Sequence, residues 1–166
     1  MQTKLNVKFI ATSAVIAAAY VALSLLSAAF GLAFGPVQLR LSEVLCVLPV
    51  FTPAAIPGLF VGCIVSNILS FSPLDILFGS LATLIAAVLT RAFRGITLKG
   101  LPLLSLLPPV VVNAVIVGAE IAVFFMPNEA FLPAFLINAA QVFLGQTIAC
   151  YILGIPFYFA MKRVRF

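Results

Sequence analysis

The chain has no histidine, only four acidic residues and three cysteines, and just 8% of its 166 residues are charged. Without histidine there is no Ser-His or Cys-His nucleophile pair and no histidine metal site. The cysteines, Cys46, Cys63 and Cys150, are odd in number and far apart. Metal-ligand spacing is therefore absent, and they read as small apolar packers. No phosphate loop of the form G-x-x-x-x-G-K-S/T occurs, so the chain has no ATPase of its own by that route. No carboxylates pair at close helical spacing for acid–base or two-metal work. The two halves carry no matching repeats of the kind secondary transporters use. These absences argue against an enzyme, and no cofactor, metal or nucleic-acid partner is expected.

What remains is 64% hydrophobic, with nine basic side chains. Soluble domains carry about a quarter charged residues, so this is not one. The intervals 9–39, 44–74 and 130–161 contain no charge, and 76–90 and 100–119 are shorter runs of the same kind. About 20 apolar residues at ~1.5 Å each cross a ~30 Å hydrocarbon core, so the chain is read as an integral membrane protein in contact with the lipid bilayer. Its length suggests one domain, 1–166. The N-terminal MQTKLNVKF and the later LLSAAF imitate a signal peptide, but the apolar stretch 9–30 is long enough to span and is expected to be retained.

Proline, glycine and charge divide the runs into six expected helices: 9–30, 38–51, 54–70, 73–91, 103–126 and 131–160. The second is short for a span and fits a tilted or partly re-entrant segment. The fold class expected is all-α, with six transmembrane helices. Six spans place both termini on one side. Lys4, Lys8, Arg91, Arg94, Lys99, Lys162, Arg163 and Arg165 then share that face, which the positive-inside rule makes cytoplasmic. Arg40 is the exception. It stands three residues before Glu43 on the same helical face, with Glu43, Asp75 and Glu129 at the same outer end. Two readings stand for Arg40 and Glu43: an exposed ion pair at a helix start, or side chains lining an outward pocket.

Other polar residues divide similarly. Ser72, Pro73 and Asp75 look like a capping box, and Asn128-Glu129 like another helix start. Glu120 lies deep in an apolar run with no capping role, and shares a face with Asn113 seven residues earlier. A ligand or ion-pair role and a neutral interhelical hydrogen bond are the two explanations for it. Asn138 and Gln141 share a face of the last helix, and Asn67 lies near the outer end of the third. With Gln38, Arg40, Glu43 and Glu120 these form a polar cluster in the outer half. Ala14, Ala18 and Ala22 recur at helical spacing, as do Gly58, Gly62 and Ser66, and Gly79, Thr83 and Ala87. Such small-residue stripes admit a neighbouring helix closely. A pocket without an engine suggests a ligand-capturing membrane subunit that depends on a partner.

The segment VQLRLSEVLCVLPVFTPAAIPGLFVGCIVSN (Val37 to Asn67), followed by LDILFGSLATLIAA (Leu74 to Ala87), resembles the QueT family. The resemblance extends over nearly the whole chain. It implies a substrate-binding S component of an energy-coupling factor (ECF) importer, with the six-helix bundle of that class, capturing a small-molecule nutrient near the outer face of a bacterial cell membrane. The implied partners are a shared transmembrane subunit and two cytoplasmic ATPases, with Ala14, Ala18 and Ala22 matching the docking motif. The implied cargo is a queuosine precursor, a 7-deazaguanine base. Matching chemistry to position, Glu43 and Glu120 supply carboxylates for its guanine-like edge or an aminomethyl cation. Gln38, Arg40, Asn67, Asn113, Asn138 and Gln141 supply polar partners, and Phe51, Phe60 and Phe71 are candidates to stack on the base. The alternatives are an S component for another vitamin-like heterocycle and a non-transporting membrane scaffold. A self-sufficient channel is disfavoured, because the polar residues occupy one half rather than lining a through-path.

Overall fold

A computed structural model describes residues 7–32, 39–69, 73–98 and 100–164. They form an all-α bundle, with an isolated bridge between Leu98 and Leu101. Helix α1 spans Val7–Ala29. A 3-10 helix, Leu41–Val50, follows. Then come α2 (Ala55–Leu69), α3 (Pro73–Ala92) and α4 (Leu107–Glu120). A π-helical segment, Ile121–Phe125, continues α4. Finally α5 (Phe131–Thr147) passes through a second π segment, Ile148–Leu153, into α6 (Gly154–Met161).

Among the described residues, four helical stretches are long and apolar enough to cross a membrane: Val7–Ala29, Pro73–Ala92, Leu107–Phe125 and Phe131–Met161. This corrects the expectation of six. The 10-residue 3-10 helix rises about 2.0 Å per residue and reaches about 20 Å, and α2 at about 1.5 Å per residue reaches little further. Both fall short of a ~30 Å core. The expected segments otherwise survive as elements, with ends moved by a few residues. The largest shift is at 103–106, which forms turns ahead of α4.

The 3-10 helix is the centre of the bundle, touching α1, α2, α3, α6 and the second π segment. Seven of its residues are buried, Glu43 among them. Around it, α1 packs on α2, α2 on α3, α3 on α4 and α4 on α5. Two of these contacts depend on missing side chains. A Cβ on Gly58 would lie 2.8 Å from the Ser13 carbonyl oxygen, and one on Gly62 2.8 Å from the Tyr20 Cβ. The Gly58, Gly62, Ser66 stripe therefore faces α1, and Gly79, Thr83 and Ala87 are buried as well. Outward faces are apolar: Leu77, Leu81, Ile85 and Val88 run down the exposed side of α3. That is the surface a hydrocarbon solvent requires, while helical backbone satisfies its polar groups internally.

The two ends of the bundle differ in charge. Arg91, in the last turn of α3, donates to the carbonyls of Pro49 and Val50 at 3.1 and 3.2 Å. Lys162 lies over the Tyr158 ring, which packs on Phe51. Lys8 lines a groove with Phe157 and Met161. These cations share the end where the 3-10 helix finishes. Arg40, at its start, lies at the other.

Candidate binding pocket

At that second end, three helices each contribute a stripe at i, i+4 spacing to one cavity. Helix α3 supplies Asp75, Gly79 and Thr83, α4 supplies Asn113 and Val117, and α5 supplies Val142 and Gln146. The start of the 3-10 helix closes the fourth side with Arg40 and Glu43. The cavity volume is about 30 Å³. A water needs roughly 10–15 Å³ measured this way, so the space suits water and not a ring-sized ligand.

Glu43 is buried and held from both sides. Tyr20 donates to its Oε1 at 2.5 Å and Cys46 donates to its Oε2 at 3.1 Å. Three residues per turn stack Cys46 directly over Glu43, a geometry that an α-helix would open. Arg40 is not paired with Glu43, as the i, i+3 spacing suggested. It precedes the helix in extended conformation, and its guanidinium reaches α3 and α2 instead. There it forms an ion pair with Asp75 at 3.5 Å and donates to Asn67 Oδ1 at 3.3 Å. Asn67 in turn donates to the Asp75 backbone carbonyl at 2.7 Å, fixing the first turn of α3. Both Arg40 contacts are long for charge-assisted bonds, whose usual length is about 2.7–2.9 Å.

Of the residues singled out from sequence, Arg40, Glu43 and Asn113 line the cavity, and Asn67 supports it through Arg40 and Asp75. Asn113 donates to the Pro109 carbonyl at 2.8 Å while lining the cavity. Glu120 follows Asn113 and Val117 on the same face of α4, buried, with neither carboxylate oxygen hydrogen-bonded. Asn138 is absent from the lining. It donates to the Ala134 carbonyl at 2.7 Å and meets the Met126 sulfur at 3.2 Å, tying α5 to the turn after α4. Gln141 is half-buried beside the lining face rather than on it. Gln38, Phe71 and Ser72 lie outside the described residues.

Sequence reasoning missed the other six lining residues, of which Asp75 and Gln146 carry a carboxylate and an amide. Asp75, in the first turn of α3 where its position fits a cap, also pairs with Arg40 and lines the cavity. Gln146 was overlooked, although it stands eight residues after Asn138, two turns along one helical face. Asn128 and Glu129 do not cap α5 either. They are exposed in the preceding turn, and Ala130 occupies the N-cap position without a side-chain bond. Ala14, Ala18 and Ala22 are exposed on α1, away from the face that meets Gly58 and Gly62.

Among known proteins, the family model described as QueT transporter matches residues 10–163. The Queuosine precursor transporter QueT of Lactococcus lactis subsp. cremoris is 38% identical over 76 residues, which is 46% of this chain and 45% of that protein. The match thus spans less than half of that relative's length. No solved structure matches.

Proposed function

The chain belongs to the QueT family, a multi-pass bacterial membrane protein, and from that premise we propose that it is a transport subunit rather than an enzyme. Its role is to capture a queuosine-precursor-like heterocycle, as the membrane-embedded S component of an ECF-type importer. The observation that carries this reading is the convergence of Arg40, Glu43, Asp75, Asn113 and Gln146 from four elements on one cavity in an otherwise apolar bundle. Intramembrane ionisable groups are costly, and gathering them in one place is the mark of a substrate site.

The chemistry suits a 7-deazaguanine. Each carboxylate oxygen has about two acceptor positions, so Glu43 retains capacity after Tyr20 and Cys46 have donated to it. Its two oxygens match the adjacent N–H and amino group of a guanine-like edge. Asn113 and Gln146 offer amides, and Arg40 a donor, to the ring carbonyl. Pockets for such ligands measure about 300–1,000 Å³, so loading has to enlarge this cavity. The long contacts of Arg40 are the ones to yield, while the short Tyr20–Glu43 bond persists. Energy would come from partner ATPases, consistent with the lack of a phosphate loop in this sequence.

The test is equilibrium binding of 7-deazaguanine bases to the purified protein, with mass spectrometry of small molecules it retains. Hydrogen bonds to charged groups contribute about 1.5–3 kcal/mol, so Glu43→Ala and Arg40→Ala should each weaken binding about 10- to 100-fold. Unchanged affinity for every ligand tested, in variants that remain monodisperse, refutes the pocket.

A further inference from the structure

The bundle holds a second and much larger space, an apolar groove of about 420 Å³ at the end opposite the binding pocket. Three elements form it. Helix α1 contributes Ala11, Val15 and Ala19 at i, i+4 spacing, and α6 contributes Phe157 and Met161 in the same way. Leu45 and Leu48, one turn apart on the 3-10 helix and both buried, make its floor together with Ile16. Thr12 carries the one hydroxyl among the lining residues, and it is turned back onto the Lys8 carbonyl at 2.8 Å. The single charge on the lining is Lys8, exposed at the mouth.

The length of the groove matches one leaflet. From Lys8 to Ala19, α1 rises through 11 positions, roughly 16 Å at about 1.5 Å each, and half of a ~30 Å hydrocarbon core is ~15 Å. Its charge is one-sided as well. Lys162 follows Met161 directly and reaches back over the Tyr158 ring, with Arg163 exposed beside it. The four acidic residues of the chain, Glu43, Asp75, Glu120 and Glu129, all stand towards the Arg40 end. The groove therefore opens among cations with no acidic side chain to offset them, which favours an anion at the membrane surface. A long apolar chain headed by a phosphate has both properties. We propose that the groove binds one anionic phospholipid of the adjoining leaflet, its acyl chain between α1 and α6 and its phosphate against Lys8 and Lys162. A zwitterionic lipid brings the same chain and phosphate, but its own cation competes with the lysines.

The experiment is native mass spectrometry of the purified full-length protein, released from micelles containing equal amounts of phosphatidylglycerol and phosphatidylcholine with identical chains. One phosphatidylglycerol per protein is expected to stay bound, in about 5-fold preference to phosphatidylcholine, the effect of one lysine at an anionic surface. Lys8→Gln is expected to bring that ratio towards one without removing the lipid. Ala11→Trp, which fills the groove, is expected to remove both lipids, and Leu81→Trp, on the outward face of α3, to change neither. Equal retention of the two lipids by the unmodified protein overturns the proposal, as does an unchanged ratio in Lys8→Gln. That exposed substitution decides the matter even where Ala11→Trp does not fold. Loss of lipid from Leu81→Trp as complete as from Ala11→Trp identifies lipid spread around the whole bundle, and also overturns the groove. Retention of no lipid by the unmodified protein overturns it too, and leaves the groove to a helix of a membrane partner.

Discussion

Glu43 shows how a single acidic side chain can be kept in an apolar bundle. Its two hydrogen bonds arrive from different directions, one from α1 through Tyr20 and one from its own helix through Cys46. Tyr20 is itself fully buried, so its hydroxyl has no water to fall back on. Tyr20→Phe would leave one carboxylate oxygen unsatisfied, at a cost of about 1–3 kcal/mol. Thermal unfolding in detergent should show that loss, and ligand affinity should fall with it because the anchor is no longer held. Cys46→Ser replaces a weak donor with a stronger one and should keep most of the stability. A Tyr20→Phe protein as stable as the parent would mean that Glu43 is satisfied elsewhere.

At the scale of elements, close approach is set by glycine. A Cβ on Gly118 would lie 2.8 Å from the Ala139 Cα, so α4 and α5 touch there through backbone. Backbone cannot rotate away as a flexible side chain can, and overpacking of this kind costs about 1–3 kcal/mol. Gly118→Ala should therefore lower the unfolding temperature, while Gly95→Ala, with nothing within 4 Å, should change stability by less than about 0.5 kcal/mol. Equal effects of the two substitutions would contradict the packing described. Much of this architecture was legible because charge and proline interrupt apolar runs wherever a helix ends. Glu43 and Asn113 stand out in the sequence for the same reason, polar groups being conspicuous in such a chain, and both line the cavity. The pairing of Arg40 was not. Sequence spacing suggests neighbours along one helix, whereas Arg40 sits before the helix begins and reaches Asp75, 35 positions away. Nor does any local pattern announce a 10-residue 3-10 helix, since long runs of that form are uncommon and here are sustained by burial on all sides.

The whole molecule presents its two faces unequally. The 3-10 helix and α2, each too short to cross a bilayer, are packed among the long helices, whereas α1 is the least buried of the four candidate spans. One face of α1 is committed to α2 through Ser13, Ile16, Ala17 and Tyr20. The other carries Ala14, Ala18 and Ala22 in the open, a flat strip with no side chain to hold another helix away. If the chain works as the capturing subunit of a larger importer, this strip is where a transmembrane partner would seat. Because these alanines point away from the pocket and from α2, enlarging them should separate assembly from capture. Ala14→Trp and Ala18→Trp should abolish co-purification with the transport partner and leave binding of 7-deazaguanine bases intact. Loss of both functions together would instead place the alanines inside the fold, against their exposure. Loss of neither would move the docking surface to another face of the bundle, and α1 would then owe its exposure to lipid alone.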